Sequence, residues 1–376
     1  MKRTLALIIA VCMILVGVTA CGGNTAAPAA PASSAAAPTA PAASTEAPAA
    51  EGDLEAALAG MKDVSLNWAI SMGPSHRANE TFQYFADEVN KRTNGKVTIN
   101  LFPGDTLVTS NSIYDSMVQG IVDMGEADPA YSVAAFPMMS CYFLPGMNFA
   151  NSRVATYVVN DLFTESGLPE LSKAHYLFAY GMSPSILFGN KKVEKLEDFA
   201  GMQIRATGFA ISVVEGLGAA AVGITPAETY EALMKGTADA ALMPAEALLN
   251  WNFAEVCKYA CKVTGFSTSC HYIAINNEVW NSLPAPVQQV FEEVADECVE
   301  KIAPLWDTMG EEGYKFAEEK NTEVYEMSAE ELARCTEQLK GVREKWAADN
   351  ASKGDTAAVL EYIDGLIEKY NAEYGA

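Results

Sequence analysis

Met202, Ile204 and Ala206 set out an apolar strand pattern, and the residue that breaks it is Arg205. A guanidinium at a strand end is either a solvated edge or a fixed receptor for a carboxylate, which it grips through two parallel hydrogen bonds that set orientation as well as charge. The other candidates for chemistry are weaker. His76, His175 and His271 stand in separate contexts without partners near in sequence, the pattern of structural histidines. Cys257, Cys261 and Cys270-His271 have no zinc-site spacing, so they read as buried or free thiols and no metal is expected. "GMSPS" (181–185) puts Ser183 at a turn with no base nearby, and "GLGAAAVG" (216–223) has its third glycine one residue late for a dinucleotide loop. No cofactor is expected, and nothing in the chain asks for catalysis.

The formal charge of −23 over 376 residues disfavours nucleic acid and anionic lipid surfaces, and it repels small anions at long range. An anionic ligand therefore needs a local cation to overcome that field, which adds weight to Arg205.

The chain opens with Lys2-Arg3, an apolar run and "VTAC" at 18–21. A basic start, a short hydrophobic stretch and small residues before a cysteine have the form of a signal peptide over residues 1–20. "VTAC" resembles a bacterial lipobox, which implies acylation of Cys21 and an extracytoplasmic body held to the cell membrane by lipid alone. Residues 21–55, rich in Ala, Pro and Ser, read as a disordered tether, and the folded body is expected over 56–376.

The elements that must position Arg205 follow from periodicity. "SLNWAIS" (65–71), a helix near 77–93 ending at Asn94-Gly95, "KVTINLFP" (96–103), a helix at 110–120 and "VDMGEAD" (122–128) form a β-α-β-α-β run, which predicts a mostly parallel sheet covered by helices. A second series follows residue 180, including "TPAETYEALMKG" with a Thr225/Glu228 capping box, "ADAALMP", "AEALLNW" and "HYIAINN". From Pro286 an apolar helical face runs to Pro304, which should end or kink the helix, and "SAEE" at 328 opens another helix with a second capping box. The fold class is α/β with two lobes, the first near 64–180, the second near 181–285, and helices over 286–376.

Four stretches, "FQYFADEVNKRTNGKVTINLFPGDTL", "QGIVDMG", "LEDFAGMQIRATG" and "PAETYEALMKGTADAALMP", resemble in order and spacing the solute-binding proteins of TRAP (tripartite ATP-independent periplasmic) transporters. The resemblance covers about residues 64–320. It implies a periplasmic-binding-protein-like fold of type II character with a long kinked helix spanning the lobes, closing on an organic acid and delivering it to a membrane permease. It also implies that Arg205, at the end of the family's "K-I-R" strand, salt-bridges the substrate carboxylate. Many relatives carry a second arginine where this chain has Ser183 or a neighbour, and Asn or Gln where it has Met243. Both departures make the cleft less polar and point toward a monocarboxylate with an apolar or aromatic body.

Ligands of open α/β sheets sit beyond the carboxyl ends of the strands, which nominates Met72, Asp128, Tyr131, Thr207, Phe209, Met243 and Glu246 as further ligand-binding residues. Trp68 and Trp251 are candidates for stacking on a ring, with a core role as the alternative. The expected partners are a small carboxylic acid and the permease, with the protein acting as a monomer. The rival functions are a ligand-sensing lipoprotein and an extracytoplasmic enzyme on the same scaffold.

Overall fold

The structure, a computed structural model, describes residues 51–168 and 170–375, so the expected signal peptide, Cys21 and most of the expected tether lie outside the described residues. The helix Glu51–Gly60 begins inside the stretch expected to be tether. Its Leu54 and Leu58, four residues apart on one face, pack into the first lobe's core, which gives this turn a reason to be ordered.

Eleven strands are present among the described residues: β1 Val64–Ile70, β2 Val97–Pro103, β3 Met124–Ala127, β4 Ala174–Gly181, β5 Ser185–Gly189, β6 Gln203–Arg205, β7 Ala220–Val222, β8 Ala240–Pro244, β9 Tyr259–Lys262, β10 Cys270–Asn276 and β11 Glu323–Glu326. They make two sheets, ordered β2-β1-β3-β10-β4 and β11-β9-β5-β8-β6-β7. The first starts as expected, with β1 parallel to both β2 and β3. It is not mostly parallel, because β10 lies between β3 and β4 and runs against both. The second sheet is mixed as well, β5 running against β8 and β9 while β6 lies parallel to β7 and β8.

The reason is the path of the chain. It leaves the first sheet after β4, builds most of the second, and returns as β10, a strand that sequence reading assigned to the second lobe. The strands that follow the two crossings, β5 and β10, each pair antiparallel with both of their neighbours. The two crossings bond to each other: Met182 N–H donates to Ser269 O at 2.8 Å, and Ser185 N–H donates to Ser267 O at 2.9 Å.

A third crossing is the kinked helix. Ala285–Ile302 buries Val287, Val290, Phe291, Val294 and Cys298 against the first lobe, and Leu305–Glu319 continues beyond Pro304 toward the second. Pro304 lacks the amide that would carry the ladder through, so the break falls there. Thr225 and Glu228 form both halves of the expected capping box. At Ser328 only half forms, since Ser328 accepts from Glu331 N–H while the Glu331 carboxylate accepts from Leu196 N–H instead. The helix Ala329–Asn350 places Cys335 and Leu339 in the second lobe's core and Trp346 in the first lobe's. Among the described residues no helix is long and apolar enough to cross a membrane.

Candidate functional site

Arg205 is the last residue of β6, an interior strand flanked by β7 and β8, with Val222 and Ala241 as its lateral partners. Its neighbours Ile204 and Ala206 point into one core cluster, so strand alternation turns the guanidinium to the opposite face. It is 4% exposed. Among the described residues its hydrogen bonding is limited to Nε donating to the Ile224 carbonyl at 3.1 Å. No carboxylate pairs with it, and burial pushes its pKa down to about 10, with Tyr131 acting the other way. The other described arginines differ: Arg77, Arg92, Arg334 and Arg343 are ion-paired and Arg153 lies over the Tyr374 ring. A buried cation whose counter-charge is not supplied by the protein is the arrangement of an anion receptor.

Tyr131 connects Arg205 to the first lobe. It sits on the short 3-10 turn Pro129–Ser132, which Asp128 caps by accepting from Ala130 N–H at 2.7 Å. The loop after β6 abuts this turn: Gly208, at φ +55°, lies so close that a β-carbon there would come within 2.9 Å of Ala130 Cβ. Although Tyr131 as a whole is 42% exposed, its hydroxyl end is enclosed, and its acidity is suppressed by burial first, then by Asp128 and Glu126, with Arg205 opposing.

Behind Tyr131 stands a polar cluster that sequence reading did not assemble. Glu126, at the end of β3 and fully buried, accepts from Ser71 N–H and Ser71 Oγ, each at 2.8 Å, and from Tyr180 Oη at 2.6 Å. His271 Nδ1 approaches the same carboxylate at 2.5 Å. Cross-strand register explains the meeting, since His271 faces Tyr180 on β4 and Ile273 faces Glu126 on β3. Burial alone would lower the His271 pKa, but Glu126 and Asp128 carry it above its ordinary value. Burial works to raise Glu126, and His271, Tyr180 and Ser71 outweigh it, holding the carboxyl below its usual range. Asp128, whose Oδ2 accepts from Ser269 Oγ at 2.5 Å, is raised by burial. Trp306 stacks on Tyr180 and lies tilted against His76, and desolvation lowers the His76 pKa to about 4, keeping that ring neutral.

The nominated residues fall into two groups. Thr207 and Phe209 follow Arg205 on the loop after β6, Phe209 stacked on Phe143 at 5.0 Å, while Tyr131 faces Arg205 from the first lobe with Asp128 beside Tyr131. Met72 is half-buried beside Ser71. Met243 lies on the Arg205 face of the second sheet, packed among Ile186, Phe188 and Ala241. The other two turn toward the kinked helix. Ser183 Oγ donates to the Trp306 carbonyl at 2.8 Å. Glu246, its pKa raised to about 7 by burial, accepts from Asn250 at 2.6 Å, and its backbone packs against Gly313. Trp68 is fully buried between Phe82 and Phe85, a core residue, whereas Trp251 is exposed. The six described cysteines are free and buried. Two surface concavities, of about 710 and 400 Å³, lie along Tyr131–Met138 and between Ser183 and Tyr314; Arg205 lines neither.

Two lobes joined by paired crossings and a kinked helix, with an unpaired buried arginine between them, define a solute-binding protein of the periplasmic type. A profile of bacterial extracellular solute-binding proteins, family 7, matches residues 69–350, and the chain belongs to that family. A TRAP periplasmic solute-binding protein from Desulfovibrio salexigens, solved as an open complex with the C-terminus of a symmetry mate in its ligand-binding site, is 30% identical. It superposes with a TM-score of 0.76 over 82% of this chain and 97% of its own. A TRAP solute-binding protein from Rhodoferax ferrireducens, solved with copurified benzoate, shares the fold at 20% identity, with a TM-score of 0.75 over 82% of this chain and 99% of its own. A solute-binding protein of Albidiferax ferrireducens is 26% identical over 176 residues, 46% of this chain, and the match spans 52%, about half, of that relative.

Glu126, His271, Ser269, Tyr180 and Trp306 were missed because their partners lie far away in sequence, 145 residues in the case of His271 and Glu126. The available signal was the acidic residue inside the otherwise apolar strand "MGEA".

Proposed function

We propose that this chain is the extracytoplasmic receptor of a TRAP transporter, lipid-anchored through Cys21, which binds a small monocarboxylate with an apolar or aromatic body and hands it to the membrane permease. The observation that carries this reading is Arg205, a buried guanidinium without an acidic partner among the described residues. The ligand carboxylate completes the ion pair through the two terminal nitrogens, while Nε stays on the Ile224 carbonyl and holds the fork in place. A second carboxylate finds no second buried arginine among the described residues, and an uncompensated buried charge is costly. Tyr131, Phe209 and Met243 offer the apolar walls. The benzoate complex of a fold relative agrees with this class of ligand. The role is binding and release as a monomer, without turnover.

The test is native mass spectrometry of the body as purified, followed by titration calorimetry with the identified acid. Arg205→Met should copurify empty; a variant that retains the ligand at wild-type occupancy overturns the assignment.

A further inference from the structure

Resting on the reading of Arg205 as the carboxylate receptor, a second polar pair stands on the first lobe beside Tyr131, the residue whose hydroxyl senses both Arg205 and Asp128. His271 Nε2 and Asp128 Oδ2 stand 3.9 Å apart, too far for a hydrogen bond to each other. Both residues are more than nine-tenths buried. Their remaining valences are fixed. Nδ1 of His271 is held by Glu126, Oδ1 of Asp128 caps Ala130 N–H, and Oδ2 receives one hydrogen bond from Ser269 and keeps a lone pair. Tyr131 is exposed at this wall, its ring 6.4 Å from His271 and nearly perpendicular to it, and Ser269 is half-buried.

A single oxygen about 2.8 Å from each of two atoms 3.9 Å apart sits about 2 Å above their midpoint, a normal hydrogen-bond position for both. That oxygen must accept from a ring N–H and donate to a carboxylate, and a hydroxyl does both. A carboxylate in the same place accepts from His271 but meets Asp128, with Glu126 close behind, and is repelled. A bare hydrocarbon leaves both groups without partners after the cleft closes.

We infer that the Asp128–His271 pair reads a hydroxyl at the far end of the ligand, so that the preferred substrates are hydroxylated monocarboxylates, with the carboxylate on Arg205 and an uncharged hydroxyl on the first lobe. The pair thus selects against dicarboxylates through charge and against unsubstituted acids through unmet hydrogen bonds. Selection of this kind is strong because a site built to bond a hydroxyl loses affinity when it is absent.

The experiment is calorimetry on the wild-type body with phenylacetate, its three ring-hydroxylated isomers and 1,3-phenylenediacetate. At least one hydroxylated isomer should bind ten times or more tighter than phenylacetate, and the diacid weaker than phenylacetate. In Asp128→Asn, which keeps the cap on Ala130, the hydroxyl preference should fall below threefold; circular dichroism checks that the variant is folded. If phenylacetate and all its hydroxylated isomers bind equally, or the diacid binds best, the hydroxyl assignment is wrong while the Arg205 reading stands. A folded Asp128→Asn that keeps the full preference also overturns it. If none of the five acids binds, the aromatic-monocarboxylate reading fails and the inference falls with it. The wild-type ratios decide the matter even where the variant does not fold.

Discussion

Replacing Arg205 with methionine should strengthen the empty protein while removing its function. Burial carries the arginine from its ordinary 12.5 to about 10. At about 1.4 kcal/mol per tenfold change in proton affinity, the folded state works against this charge by about 3 kcal/mol. The sign follows from a base whose folded pKa is depressed: the penalty is fully present below about pH 10 and is relieved only as the pH rises through that value toward the ordinary 12.5. Methionine matches the length of the apolar stem and removes the charge, but it gives up the Nε bond to Ile224, worth about 1 to 2 kcal/mol. The empty variant should therefore gain about 1 to 2 kcal/mol. Ligand reverses the order. At 100 times the dissociation constant it adds about 2.7 kcal/mol to the wild type. Loss of one partner of a buried pair weakens binding by about 2 to 5 kcal/mol, so at the same ligand concentration the variant gains less than about 1 kcal/mol. Urea unfolding of both proteins, with and without the copurified acid, measures all four numbers. An empty Arg205→Met that is less stable than wild type by more than about 1 kcal/mol would make the arginine a structural residue, and equal ligand stabilisation of the two proteins would refute the receptor argument.

Gly208→Val should weaken ligand binding at least about tenfold, since a β-carbon at φ +55° is strained and would meet Ala130 beside Tyr131; a titration unchanged from wild type would show that this contact does not set the cleft. Glu126→Gln should cost about 3 to 5 kcal/mol of stability, because it leaves His271 charged and buried without its partner. The same cluster shapes the pH profile. The lowered Glu126 contributes stability present above its ordinary pKa and lost as acid protonates it, and the raised His271 contributes stability present below its ordinary pKa and lost toward alkaline pH, with Ser71, Tyr180, Asp128, Tyr131 and His76 as the surrounding groups. Melting temperatures across pH should fall on both sides of that window in wild type and flatten in Glu126→Gln; parallel curves would remove the cluster from the explanation. Metabolic labelling with a fatty-acid probe should mark the wild type in its host and not Cys21→Ala, and equal labelling of both would end the lipoprotein assignment.

Local pattern carried much of this protein. The helices Ala78–Arg92 and Pro226–Lys235 were legible with their ends, because 3.6-residue periodicity, Asn94-Gly95 and the Thr225/Glu228 box act within a few residues of each other. The break at Pro304 and the placing of Arg205 at a strand end were legible for the same reason, and the motif order was enough to indicate the family. What the sequence alone left open was everything set by the return of the chain. "HYIAINN" reads as a strand on its alternation, but nothing in it says that it crosses back to lie against β3 and β4 in the other lobe. That one placement brings His271 against Glu126 and Tyr180, turning an isolated histidine into the centre of a buried charge cluster. Likewise Ser183 was singled out because it stands where many relatives carry a second arginine, and only packing against the kinked helix commits its hydroxyl to Trp306. Burial decided Arg205 too: a guanidinium at a strand tip has the same sequence whether water or protein surrounds it, and its meaning as a receptor comes from the removal of solvent by residues distant along the chain.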